Sequence, residues 1–446
     1  MNRRDFLTTT TGMALAAGAV VKATGAEDAP VLLDESMRRA REAGLKALKP
    51  SAKDLEHGLD LHARSLVFDV YGFAPRAALD PEALRAAEDA GASEAELNDL
   101  REDMGMTRCV SDPTQRAAFE AAWRASGVTC IFQNAGEEGQ DPLRLLKRLA
   151  RFTYVTDSLR AFVAKAVTPD DIVAAKRENR HCLYFTGNGV PLAQRWDSAE
   201  EELGYVRLFY QLGIRMMHVT YNRRNMLGDG CAEPANAGLS DFGRAAIAEM
   251  NRVGVLVDVA HSGWRTSLEA AKASRLPMVA SHTACDAVHH HVRAKPDEVI
   301  RAIVDTGGLV GICCIPNFLG GGIPALLDHI DHVVRVFGID HVAIGTDVAY
   351  SAPPLPAPKS DRPASRARRT RTRFEALWPR DSLVPMPEAQ LTLAWTNWPL
   401  FTVGLVQRGY RDEDIEKILG RNMLRVARDV LKGKANGPQP ANPAKP

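Results

Sequence analysis

Two histidines and an aspartate stand where three apolar, β-branched runs end: Val257-Asp258-Val259-Ala260-His261-Ser262, Ala280-Ser281-His282-Thr283 and Ile344-Gly345-Thr346-Asp347. Each run reads as a buried strand, and the strand ends of one parallel sheet project to one rim. Imidazoles from neighbouring strand ends can converge on a divalent ion, with a carboxylate two strands on as a further ligand or a general base. Zinc suits such a nitrogen and oxygen set. A single strand-end histidine is ordinarily a hydrogen-bonded structural residue, so the conjunction of the three carries the reading. Asp258, three residues before His261, falls on the opposite side of its strand from His261 and reads as structural support. His218 lies inside another run and either faces the same interior or packs. His289-His290-His291 reads as a metal-binding triplet or a polar loop.

The elements that must position these residues recur along the chain. Strand-like runs occur at Ser65 to Val70, Val128 to Phe132, Cys182 to Thr186, Ile214 to Thr220, Val255 to Ala260, Met278 to Ser281, Gly308 to Cys314 and His341 to Thr346. Amphipathic stretches separate them, such as the one that Ser240 or Asp241 can cap and Gly254 can close. Eight alternations with crossovers long enough for parallel pairing predict a closed (β/α)8 TIM barrel, with an open doubly wound sheet as the other arrangement. Residues 27–431 then form one domain with insertions at 77–105, helical, and 351–387, a basic, Pro-rich loop on the catalytic face. Glu137 and Glu138, after the second run, are either surface acids or acids placed to lend a carboxylate to the site.

The N-terminus, Met1-Asn2-Arg3-Arg4-Asp5-Phe6-Leu7 with no further acid before Glu27, fits a twin-arginine export signal over residues 1–26. A periplasmic location follows as an expectation. Among 446 residues, 56 basic and 55 acidic side chains leave a net charge of +1, so no global field favours nucleic acid or a membrane surface. A small-molecule partner is expected instead. The seven cysteines show no CxxC spacing and read as core thiols. Residues 432–446 lack the composition to pack and read as a disordered tail.

The runs around His261, Ser281-His282, His289 to Arg293, Gly307 to Gly311 and His341 to Asp347, with Gly409-Tyr410 and Leu419-Gly420-Arg421-Asn422 near the end, resemble the renal-type membrane dipeptidases over roughly residues 54 to 431. That resemblance implies a (β/α)8 barrel, two zinc ions bridged by a glutamate, and cleavage of dipeptides, including those with a C-terminal D-residue. By position, His261 and His282 match the histidines of the second zinc. Arg293 matches the arginine that holds the substrate carboxylate, and Asp347 the acid/base aspartate. The family's first-strand His-x-Asp pair falls at Tyr71-Gly72-Phe73, its bridging glutamate at Thr186 and its substrate-side histidine at Tyr221.

Tyrosine and threonine oxygens stay protonated near neutrality and bind zinc poorly, so at most one zinc is expected. His261 and His282 are its expected ligands, with Asp347 catalytic and Arg293, Tyr221 and Tyr71 contacting substrate. The leading expectation is a periplasmic hydrolase of a dipeptide or small amide with a free carboxylate. A metal-free enzyme of isomerase or maturation type, serving a secreted peptide or siderophore pathway, and an inactive binding barrel are the alternatives. A homodimer is expected by the same resemblance.

Overall fold

The computed structural model describes residues 33–136, 141–356 and 384–435, of which 434 and 435 by backbone alone. Residues 1–26, read above as an export signal, Glu137, Glu138, most of the 351–387 insertion and residues 436–446 lie outside the described residues.

Ten strands are β1 (Phe68–Gly72), β2 (Cys130–Asn134), β3 (Val163–Ala166), β4 (His181–Gly187), β5 (Ile214–His218), β6 (Leu256–Asp258), β7 (Val279–Cys285), β8 (Ala294–Lys295), β9 (Leu309–Ile312) and β10 (Val342–Ile344). Eight pair in the order β1-β2-β4-β5-β6-β7-β9-β10, every pairing parallel. They are the eight runs of the sequence reading. The seam between the last strand and the first is joined where the Asp347 N–H donates to the Tyr71 carbonyl at 2.9 Å. The (β/α)8 barrel is therefore the architecture, with β3 added beside β4 and β8 beside β7.

Period-two alternation sends Phe68, Cys130, Phe132, Tyr184, Met216 and Leu256 into the lumen, where they pack with Met423 and Val430 of the last helix, Asn422–Ala435. That helix plugs the barrel floor and runs past residue 431, into the first residues of the stretch read above as a tail. Helix boundaries follow their caps. The Ser240 side chain accepts from Gly243 N at 2.9 Å to start the helix Asp241–Val253, and Gly254, at φ 88°, ends it. The 77–105 insertion is helical as expected, forming Pro81–Asp89 and Glu94–Ser111. Among the described residues no helix is long and apolar enough to cross a membrane.

Candidate active site in the barrel mouth

Three adjacent strands deliver polar side chains into the lumen beneath the mouth. His218 ends β5 and Asp258 ends β6, and the two are register partners, each two residues beyond a lumen-facing apolar residue, Met216 and Leu256. Asp258 thus points inward with His218, which corrects the reading that set it on the side away from the site. The strand stops at Asp258, and the turn through Ala260 and His261 returns His261 to the mouth without obeying strand alternation. The period-two argument carried the alternation three residues too far.

His282 enters from β7, whose register against β9 shifts between Ala280 and Thr283. The irregularity pushes the Ser281 carbonyl across the lumen: a Cβ on Gly311 or on Gly345 would lie 2.0 Å from that oxygen. Only glycine at both positions leaves room for the strand to present His282. A register shift in β1, between Asp69 and Gly72, likewise turns Tyr71 inward. Its ring stacks on His282 at 3.8 Å, and Tyr221 stacks on His261 at 3.9 Å. The two tyrosines that stand where the family places metal or substrate ligands therefore roof the imidazoles.

Hydrogen bonds fix the ring states. Asp258 accepts from Ala260 N at 2.9 Å and Ser281 N at 3.0 Å, and also from the Ser281 hydroxyl. Since that hydroxyl donates to Asp258, it accepts from His282 Nδ1, 2.8 Å away, leaving a lone pair on Nε2. Asn222 Oδ1 lies 2.7 Å from His261 Nδ1 and also receives the Cys231 thiol, so His261 too carries its proton on Nδ1. The two Nε2 atoms face each other at 2.8 Å. Two lone pairs at that distance repel unless a cation sits near them. Burial, then the Arg293 charge, holds both imidazoles well below the usual histidine range, keeping them neutral and able to ligate. Burial would raise Asp258, but His218 and its hydrogen bonds prevail and hold its carboxyl below the ordinary value.

His218, Asp258 and His282 are all buried and offer ligand atoms within 4.8 Å of one another, the one such group of three found among the described residues. Two imidazoles, that of His282 held neutral, and an ionised Asp258 carboxylate fit a single divalent ion of the zinc type. A second ion finds no ligands at the positions expected from the resemblance. The Thr186 hydroxyl donates to the Met216 carbonyl at 3.0 Å and the Tyr71 hydroxyl to Asn188 Oδ1 at 3.1 Å. His289-His290-His291 does not form a metal cluster either. His290 pairs with Asp286 at 2.8 Å, and the His291 ring stacks on Phe318.

Arg293 and Asp347 complete the mouth. The Arg293 guanidinium is buried, donates through Nη2 to the His282 carbonyl at 3.1 Å and lies 5.0 Å over the Phe318 ring. Its Nε has no hydrogen-bond partner. Asp347 sits at φ 57°, a left-handed conformation that side chains rarely adopt, as the chain leaves β10. Burial pushes its carboxyl up to about 6, with Arg293 and His218 opposing.

A sequence profile describing the membrane dipeptidases, peptidase family M19, matches residues 60–356. The chain belongs to this family. A dipeptidase, tcpJ, of Claviceps purpurea is 28% identical over 233 residues, covering 50% of this chain and 47% of the relative. The chain thus spans about half the length of the curated relatives it matches. Among solved structures, an amidohydrolase from Pseudomonas aeruginosa superposes with a TM-score of 0.60 at 24% identity, covering 84% of this chain and 98% of that one. A metallopeptidase from Rhodobacter sphaeroides, liganded with a phosphinate mimic of the dipeptide L-Ala-D-Ala, gives 0.57 at 16% identity, covering 82% and 99%. At these identities the structures establish a shared fold. Within the membrane dipeptidase family, His261, His282, Arg293 and Asp347 are the residues that the sequence resemblance carried over, and the structure gathers all four around one mouth. His218 and Asp258 are the additions that sequence reasoning did not place there. The two-residue spacing from Met216 and Leu256 was the available signal.

Proposed function

We propose that this chain is an exported, metal-assisted hydrolase of dipeptides or small peptide-like amides that carry a free carboxylate. The observation that carries the reading is Arg293, a buried guanidinium with an unpaired Nε–H beside two neutral imidazoles and a carboxyl poised near neutrality. A buried cation with a spare donor is an anion site, and a substrate carboxylate supplies the charge. Asp347, at about 6, can take a proton from the attacking water and return it to the leaving amine nitrogen. The amide C–N bond breaks, the water oxygen joins the acyl carbon, and the two products are an acid and an amine. When bound, one zinc ion at His282 and its neighbours would supply the Lewis acid for the carbonyl oxygen and acidify the water. Stacking by Tyr71 and Tyr221 fixes the ring planes and keeps solvent from the imidazoles. Residues Arg3 and Arg4 support export to the periplasm.

The second reading is proton-transfer chemistry without metal, favoured by the loss of every first-strand ligand to Tyr71 and Phe73. A panel of dipeptides with L- or D-residues at the C-terminal position, beside their C-terminal amides, separates the two. Hydrolysis of the free acids, at least ~30-fold faster than of the amides, is expected from losing one buried charge-assisted contact. Zinc-replete protein that cleaves neither class, yet isomerises or binds them, would leave the hydrolytic reading without support.

A further inference from the structure

The histidine whose nitrogens the fold leaves unserved is His218. Its ring is buried among Tyr71 at 5.3 Å, His261 at 5.3 Å and His282 at 5.4 Å, centroid to centroid. Neither Nδ1 nor Nε2 makes a hydrogen bond. Nε2 lies 2.6 Å from Asp258 Oδ2, yet the contact lacks hydrogen-bond alignment, so it is proximity between two ligand atoms rather than a directed bond. A buried imidazole must keep at least one donor and one acceptor, and buried polar atoms are as a rule satisfied. His261, by contrast, has its Nδ1 served by Asn222 at 2.7 Å, while its Nε2 faces that of His282 at 2.8 Å.

We infer that His218 is a metal ligand: the single ion is held by His218, Asp258 and His282 on three consecutive strands, deeper in the lumen than the His261 and His282 pair that the family resemblance marks. This deepens the metal-assisted reading and rests on it. Asp258 is prepared for the role, because two backbone N–H groups and the Ser281 hydroxyl hold its oxygens in place. The same Ser281 hydroxyl receives His282 Nδ1 and thereby aims the Nε2 lone pair into the lumen. One serine thus orients two ligands. The ion would replace ligands lost on β1 and β4 with one gained on β5, leaving His261 at the rim beside Asn222 as a neighbour of the bound substrate.

The full-length protein, the variants His218→Gln and His261→Gln, and a ligand-swapped His218→Cys test this by zinc content after exhaustive dialysis, chelator competition and the absorption spectrum of the cobalt(II) form. Wild type is expected to retain about one zinc per chain, and His218→Gln to lose it or to bind at least ~100-fold more weakly, while His261→Gln keeps the ion within ~10-fold of wild-type affinity. His218→Cys should keep the ion and add a thiolate-to-cobalt charge-transfer band, which a packing role cannot produce. If His218→Gln folds by circular dichroism and keeps wild-type zinc and an unchanged cobalt spectrum, or if His218→Cys binds cobalt with no thiolate band, His218 is not a ligand. These readouts need no substrate. A centre assembled as inferred in a protein that cleaves no peptide would remove only the hydrolytic reading, and peptide cleavage with zinc untouched by His218→Gln would remove only this one.

Discussion

Asp69 and Asp258 are both fully buried in this barrel, and their surroundings ask opposite things of them. Asp69 sits at the seam where β10 meets β1, accepting from Thr346 N at 2.8 Å, the Thr346 hydroxyl at 2.6 Å and Trp395 Nε1 at 3.1 Å. No cation is among these partners. Burial, only partly offset by those hydrogen bonds, pushes its carboxyl up to about 7. Asp258 is equally buried and also accepts from backbone and a hydroxyl, yet it faces His218 and lies below its ordinary value. Hydrogen-bond count does not separate the two; the imidazole does. A seam needs an acceptor, which a neutral acid can still provide, whereas a metal ligand needs the charge.

The comparison breaks most visibly in stability. Asp69→Ala leaves two donors and a hydroxyl buried without an acceptor and should cost about 3 kcal/mol or more in urea unfolding. A loss below about 1 kcal/mol would mean that the seam does not hold the barrel closed. In the mouth the effect should move to chemistry. Arg293→Met removes the guanidinium but keeps much of its volume. It is expected to lower kcat/KM for a free-carboxylate dipeptide about 100-fold or more while leaving the melting temperature close to wild type. An equal loss on the C-terminal amide would show that Arg293 does not read the carboxylate.

The raised Asp69 carboxyl gives a smaller effect with a definite sign. Its folded-state value exceeds the ordinary 3.8, so its contribution to stability is fully present below 3.8 and disappears as pH rises through about 7. Wild type should therefore lose stability relative to Asp69→Asn between pH 4 and 8, and a constant difference across that range would contradict the assignment. His62 has the opposite slope. It is buried between the Thr402 hydroxyl and the Ser126 carbonyl, each at 2.8 Å, and burial lowers it to about 3. Its contribution is present above 6.5 and declines as pH falls toward 3, so His62→Gln should flatten the acid limb of a stability profile. The smallest change is Tyr71→Phe. Losing one hydroxyl bond to Asn188 while keeping the ring stack on His282 should cost about 1 kcal/mol, read in the same unfolding experiment.

The barrel was legible because buried parallel strands leave continuous β-branched runs, such as Val255 to Ala260, between capped amphipathic helices. β3 and β8 were not, since Val163-Ala164-Lys165-Ala166 and Ala294-Lys295 are too short and too polar to stand out. His261, His282, Arg293 and Asp347 were legible as strand-end residues and by resemblance. His218 and Asp258 required knowing where β6 stops: counted back from His261, Asp258 falls outside the lumen, but counted forward from Leu256 it falls inside. The inward turn of Tyr71 depends on a register shift in β1, which leaves no mark on composition.

Crystals of the protein, grown without chelator and measured on both sides of the zinc absorption edge, address the central claim most directly. One anomalous peak bounded by His218, Asp258 and His282 is the predicted result. A peak shared by His261 and His282 but out of reach of His218, two peaks, or none in crystals soaked with zinc would contradict it.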